Sequence, residues 1–226
     1  MAGVETATRG SSLHDEARTF LRHPNSRLLI AATATALTVR IALGGWRPAD
    51  ALVAAVILGV EPLTEWLIHV FLLHARPKTI AGRRVDLLAA RKHRAHHADP
   101  RAVDLIFVPK QVLYGALPGA LVLYGLLLRD LRLAATAVLV SYAMLTLYEW
   151  THFLIHSRYL PKGRYYRYIW RAHRLHHYRN ENYWFGVTIH LADHVLRTFP
   201  GREDVPLSPT ARTLGVEPAP ENVSAA

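Results

Sequence analysis

Four blocks of the chain are almost uninterruptedly apolar, at residues 28–46, 51–74, 112–128 and 131–156, and polar, mainly basic stretches separate them. A helix needs about 20 apolar residues to cross roughly 30 Å of hydrocarbon, so each block reads as a membrane-spanning helix or nearly one. Only RPAD joins the first block to the second, and only RD joins the third to the fourth. Each pair is therefore expected to form a tight helical hairpin, with a basic loop between the two hairpins. Residues 11–23, SSLHDEARTFLRH, open with a candidate Ser12 cap and place acids in the first turn, which predicts a short interfacial helix before the first span.

Composition sharpens this picture. The chain has 226 residues, 51% of them hydrophobic, yet 27 Lys and Arg stand against 17 Asp and Glu. Of those 27 cations, 23 lie in residues 1–27, 75–110 and 157–226, while the two short turns hold only Arg47, Arg129 and Arg132. Cytoplasmic flanks retain Lys and Arg, so both termini and the long loop are expected in the cytosol. The first twenty residues lack the apolar core of a signal peptide, in keeping with that side. Arg40 falls inside the first span, near enough to one end to snorkel. Basic segments carrying aromatics, such as GRYYRYIWRAHR, can bind nucleic acid. Membrane topology and anionic headgroups already account for this charge, so no nucleic-acid partner is expected.

Chemistry enters with histidine. There is no cysteine, which removes disulfides, thiolate metal sites and thiol catalysis. Twelve of the 14 histidines fall into five clusters: His69 and His74; His93, His96 and His97; His152 and His156; His173, His176 and His177; His190 and His194. At this histidine content one accidental His-x-x-His-His is expected roughly 0.05 times, and the chain has two. Offsets of three and four bring helical side chains to one face, so each triplet is able to aim its imidazoles at one point, and His152/His156 likewise. His69 and His74, five apart, diverge by about 140° on a regular helix, and need a helix end, a wide bulge or two different metals.

The pattern repeats. EWLIHVFLLH at 65–74 matches EWTHFLIH at 149–156, and each is followed by a basic segment with His-x-x-His-His. Each half thus supplies a hairpin and five histidines, and all ten converge on one membrane face. Neutral imidazoles suit iron, copper or zinc rather than magnesium or calcium. Two six-coordinate ions sharing ten ligands would each keep one open position; zinc needs fewer, and iron fits better. Glu65 and Glu149, one turn before His69 and His152, are candidates to orient a ring by accepting its other N–H, or else face water. His190 and His194 are either further ligands, orienting groups or solvated residues.

These motifs resemble the fatty acid hydroxylase and sterol desaturase superfamily of integral membrane diiron oxygenases. HVFLLH, HRAHH, HFLIH and HRLHH stand in that family's order, and NYWFGVTIHLADHVLRTFPG is similar to the segment after its last motif, with Asp193 on a closing helix. The resemblance covers about residues 50–205 and implies an all-α membrane protein: four transmembrane helices as two hairpins under a cytosolic His-rich helical cap. It implies metal ligation by His69, His74, His93, His96, His97, His152, His156, His173, His176 and His177. On this reading residues 1–27 are a cytosolic segment, 28–205 the membrane domain, and 206–226 a disordered tail rich in Pro and Ala.

The implied activity is a monooxygenase: two metal ions, expected to be iron with zinc the alternative in purified or crystallised protein, use O2 and two electrons to hydroxylate a C–H bond of a fatty acyl or other lipid. His190 and His194 lie outside the family's ligand set. No b-type cytochrome domain is attached, so a separate donor is expected, a ferredoxin or small cytochrome with its reductase. Tyr183, Trp184 and Phe185 are candidates for the acyl entrance or for interfacial anchors. A carotenoid ring hydroxylase and a lipid or sterol desaturase are the alternatives within the class. Outside it stand a bis-His b-type cytochrome without enzymatic activity and a zinc hydrolase.

Overall fold

A computed structural model of the protein describes residues 10–216. Helix α1 (Leu13–Arg22) leads into α2 (Pro24–Leu43) and α3 (Pro48–Leu67), which continues as a π-helical turn over Ile68–Leu73. Strands β1 (Lys78–Ile80) and β2 (Arg83–Val85) precede α4 (Leu88–Ala98) and the single turn α5 (Val103–Ile106). Then come α6 (Lys110–Leu128), α7 (Leu131–His156), α8 (Arg164–Tyr178) and α9 (Leu191–Val195). Four helical segments are long and apolar enough to cross a membrane: Pro24–Leu43, Pro48–Leu73, Val103–Leu128 and Leu131–His156. They are the expected two hairpins. The first span begins earlier than hydropathy alone indicates, because Pro24 at the first helical position starts it and the His23 side chain accepts from the Asn25 N–H.

Helix α7 is the axis of the bundle and touches α2, α3 and α6. Its buried Ala134, Ala135 and Ala137 let neighbouring backbones approach closely, as apolar spans require in place of a water-driven core. Leu29 and Ala36 of α2, Leu113 and Leu117 of α6, and Val138 and Tyr142 of α7 form the interior cluster. The outward faces are apolar too. Leu52, Val56, Val60, Leu121, Val122 and Leu126 are all exposed, a belt that suits lipid and not water.

At the end carrying the two short turns, Arg40 does not snorkel. It is fully buried, donating to Asp50 Oδ1 (2.8 Å), Thr136 Oγ1 (2.7 Å) and the Gly44 carbonyl (2.9 Å), with Trp46 over its guanidinium. Arg47 of one turn pairs with Asp130 of the other at 2.7 Å, and so ties the hairpins together.

The opposite end carries the cap: α4, α8, α9 and their connections. Helix α1 is capped as expected, with Ser12 and Asp15 bonding each other's backbone reciprocally, and it buries Phe20 against Phe107, Trp150 and Phe153. The all-helical expectation misses one feature, the exposed hairpin Lys78↔Val85, Thr79↔Arg84, Ile80↔Arg83. Ala81 and Gly82, at φ 48° and 76°, make its two-residue turn. A second difference concerns the tail. Where a loose chain is expected from residue 206, residues 206–216 lie folded on the cap: Ala211 and Leu214 are buried, and the Ser208 N–H donates to the Arg179 carbonyl. The remainder of the expected tail, 217–226, and residues 1–9 of the N-terminal segment lie outside the described residues.

Candidate metal centre

The ten histidines meet where the cap closes on the two hairpins, and they form two groups of five. One is His69, His74, His93, His97 and His176; the other is His96, His152, His156, His173 and His177. Within each group one nitrogen per ring lies within 4.8 Å of every other. The even-numbered spans provide two rings each. In α7 the pair His152/His156 uses ordinary i, i+4 helical spacing. In the other span the π-helical turn does the work: the His74 N–H donates to the His69 carbonyl at 3.1 Å, an i→i+5 bond that brings the five-spaced pair to one cluster. The wide-bulge solution is the one the protein uses.

The cap triplets do not each serve one point. In α4, His93 and His97 enter the first group while His96 crosses to the second; in α8, His173 and His177 enter the second while His176 crosses to the first. Helix geometry explains the split. Positions i and i+4 differ by about 40°, whereas i+3 and i+4 differ by about 100°, so adjacent rings of His-x-x-His-His face different neighbours. Each half therefore lends one histidine to the other's cluster.

Which atoms converge is equally consistent. His69 and His93 bring Nε2 to Nε2 at 3.1 Å. His156 Nε2 lies 3.2 Å from His96 Nε2 and 3.0 Å from His173 Nε2, with His177 Nε2 3.1 Å from His173 Nε2. The Nε2 atoms of His74, His97, His152 and His176 are buried and without a hydrogen-bond partner among the described residues. Metal–nitrogen bonds of about 2.1 Å at right angles place neighbouring nitrogens about 3 Å apart, so these spacings fit a nitrogen-ligated ion in each group. Burial holds the cap histidines in the neutral, lone-pair-bearing form: His93, His96, His173, His176 and His177 lie well below the ordinary value, and His97 is lowered to about 3.

Four of the opposite ring nitrogens are held by backbone. Nδ1 of His69 lies 2.6 Å from the Phe185 carbonyl, that of His97 2.8 Å from Ala211, that of His152 2.9 Å from Ile106, and that of His176 2.8 Å from Tyr183. These acceptors have no sequence signal, because any residue type carries a carbonyl. Glu65 and Glu149, candidates to accept a ring N–H or else to face water, make no hydrogen bond to a ring among the described residues. Glu65 accepts the N–H groups of Val187 and Thr188 and the Thr188 hydroxyl, and Glu149 accepts the Val108 N–H at 2.8 Å. Both carboxylates are buried; Glu65 is held by loop backbone and the Thr188 hydroxyl, whereas Glu149 meets loop backbone through Oε1 and its Oε2 has no hydrogen-bond partner among the described residues.

His190 and His194 join neither group. His190 is buried with Nδ1 2.8 Å from Asp193 Oδ2, and His194 Nε2 meets the Tyr168 hydroxyl at 2.7 Å on an exposed part of the cap. Asp193 also accepts the N–H groups of Phe185 (3.0 Å) and Gly186 (2.7 Å) and the Thr198 hydroxyl (2.6 Å). Burial pushes its carboxyl up, but the bonds from His190, Thr198 and Gly186 outweigh that and hold it below the ordinary carboxylate value. Of the three aromatic candidates, Trp184 is a core residue of the cap, packed with Ala172 and Val205, with Tyr183 beside it. Phe185 alone reaches the rings, 5.5 Å from His69, 5.6 Å from His74 and 5.4 Å from His176.

Comparison with known proteins agrees with this arrangement. The family profile described as fatty acid hydroxylase matches residues 54–198. Dihydroceramide fatty acyl 2-hydroxylase FAH2 of Arabidopsis thaliana is 30% identical over 146 residues, 62% of this chain and 56% of that protein. Fatty acid 2-hydroxylase of Rattus norvegicus is 28% identical over 159 residues, 67% of this chain and 41% of that one. The chain thus spans about half the length of the curated relatives it matches. A solved structure of full-length scs7p, in which only the hydroxylase domain is visible, shares the fold with a TM-score of 0.62 at 23% identity, over 88% of this chain and 70% of that one.

Proposed function

The chain belongs to the fatty acid hydroxylase family, and on that premise we propose that it is a membrane-bound dimetal oxygenase hydroxylating a C–H bond of a fatty acyl or other lipid with O2 and two electrons. The observation that carries this reading is the pair of five-imidazole groups, each drawing ligands from both halves of the chain. Five nitrogens leave one of six positions free for a cosubstrate, and iron is the ion whose chemistry needs it. When bound, a pair of irons supplies dioxygen activation and C–H cleavage. The protein's part is to present ten Nε2 lone pairs, to hold four of the rings through backbone carbonyls, and to keep water out with Phe185 and the closed cap. Asp193 and His190 are assigned to holding the Phe185–Gly186 backbone. Three further rings occupy the space around any pair of imidazoles, which speaks against a porphyrin between two of them.

The relatives named above are 2-hydroxylases, so carbon 2 of an acyl chain is the position to test first. The cation distribution supports termini and metal centre on the cytosolic side, where a separate ferredoxin or small cytochrome with its reductase would deliver electrons. Mass spectrometry of extractable lipids from cells with the active protein, against cells with His173→Ala, should reveal a hydroxylated acyl species carrying oxygen-18 from labelled O2. His96→Ala and His173→Ala should both abolish it and lower bound metal. Full metal content and turnover in both variants, an intense Soret band, or activity without oxygen and reductant would each overturn the proposal.

A further inference from the structure

Glu65 stands one helical turn before His69, and Glu149 one turn before His152. Each carboxylate ignores its neighbouring ring and reaches for a distant loop, and the loop it reaches is the one whose carbonyl holds that ring. His69 bonds the carbonyl of Phe185, and Glu65 accepts the N–H of Val187. His152 bonds the carbonyl of Ile106, and Glu149 accepts the N–H of Val108. The offset from carbonyl to N–H is two residues both times. Chain direction does not account for this, since one loop lies far downstream of its carboxylate and the other upstream.

Both loops are fixed from further sides. Around Phe185, four consecutive N–H groups, 185 to 188, all end on carboxylates, two on Asp193 and two on Glu65. A Cβ at Gly186 would sit 2.6 Å from the Ile189 carbonyl and 2.8 Å from His190 Nδ1, so the loop closes too tightly there for any side chain. The Val108 carbonyl accepts from Asn25 Nδ2 at 2.7 Å, and the Phe107 ring stacks on His23 at 3.7 Å. A ring whose Nδ1–H is given to a fixed carbonyl has one tautomer and one tilt, with the Nε2 lone pair aimed at the metal position.

We propose that Glu65 and Glu149 are matched positioning residues, each fixing the histidine one turn ahead of it through a shared loop, and each thereby governing one metal site. The proposal rests on the reading that the two groups hold metals. Full-length protein in detergent is titrated with Fe(II) under anaerobic conditions against a chelator of known affinity. Wild type should show two tight sites; none would overturn the metal reading itself and leave the clamp without a subject. Glu65→Ala should weaken one site by about 10–100-fold and leave the other, and Glu149→Ala should do the same to the other. Gln at either position keeps an acceptor for the loop N–H and should restore the affinity, which a role for the negative charge would not allow. In a His152→Ala/His156→Ala background, which dismantles the second group, Glu65→Ala should still weaken the remaining site while Glu149→Ala leaves it unchanged. Alanine variants that keep both affinities, weaken both sites alike, or are not rescued by glutamine would overturn the proposal.

Discussion

An imidazole ligates through one nitrogen and answers to whatever holds the other, and in this respect the two groups differ. In the first, His69, His97 and His176 each give Nδ1 to a backbone carbonyl. In the second only His152 does, and the Nδ1 atoms of His96, His173 and His177 are buried without a partner among the described residues. Rings that are tethered hold their aim when a ligand bond opens. Chelation should therefore remove metal in two phases, with the second group emptying first; His96→Ala should abolish the faster phase and leave the slower, measured as metal released against time. Stripping both metals leaves neutral rings that acid will charge. His97, at about 3 when folded and about 6.5 when unfolded, is a case: the unfolded chain binds the proton first, so folding stability falls as pH drops from about 6.5 towards 3. Thermal melts of chelated protein should show Tm declining across that window, with metal-loaded protein more resistant at its upper end. The clustering of these histidines was legible in the sequence because side-chain identity and spacing carry it. The carbonyls that orient them were not, since they depend on where a loop passes.

Among the elements, the π-helical turn has the clearest test. His69 and His74 share a cluster because Ile68–Leu73 winds more widely than an α-helix. Deleting the exposed Phe71 gives the spacing of His152/His156, and the regularised helix should keep its metal. Inserting an alanine after Phe71 sets the pair six apart, diverging by about 120° on an α-helix and shifted a further residue along it, and should cost the first site its ion, read as one metal per chain instead of two. The sequence announced the difficulty of a five-residue spacing without choosing among its solutions. The cap of α1 was readable from Ser12 and the acids behind it. The small hairpin at 78–85 was not, because three-residue strands in a basic loop have too few alternating positions to register.

For the molecule as a whole, the hairpins meet at both ends by different means, clustered histidines at one and ion pairs at the other. Arg40 is buried against Asp50 and Thr136, which links α2, α3 and α7. Arg40→Met leaves Asp50 without its partner and should lower Tm in detergent on the order of 5 °C or more, while Arg40→Met with Asp50→Leu should recover much of the loss. The two hairpins and the repeat between halves could be read from hydropathy and histidine spacing. The exchange of His96 and His176 between halves could not, since it depends on how α4 and α8 sit against each other, and neither could the return of residues 206–216 onto the cap. That exchange also has a consequence in time. The first group lacks its last ligand until His176 has been made and the second until His177, two adjacent residues late in the chain. A ribosome that has finished the first hairpin and its cap helix has completed no site, so neither centre is fully ligated until the second hairpin and α8 exist, and both then become complete almost together.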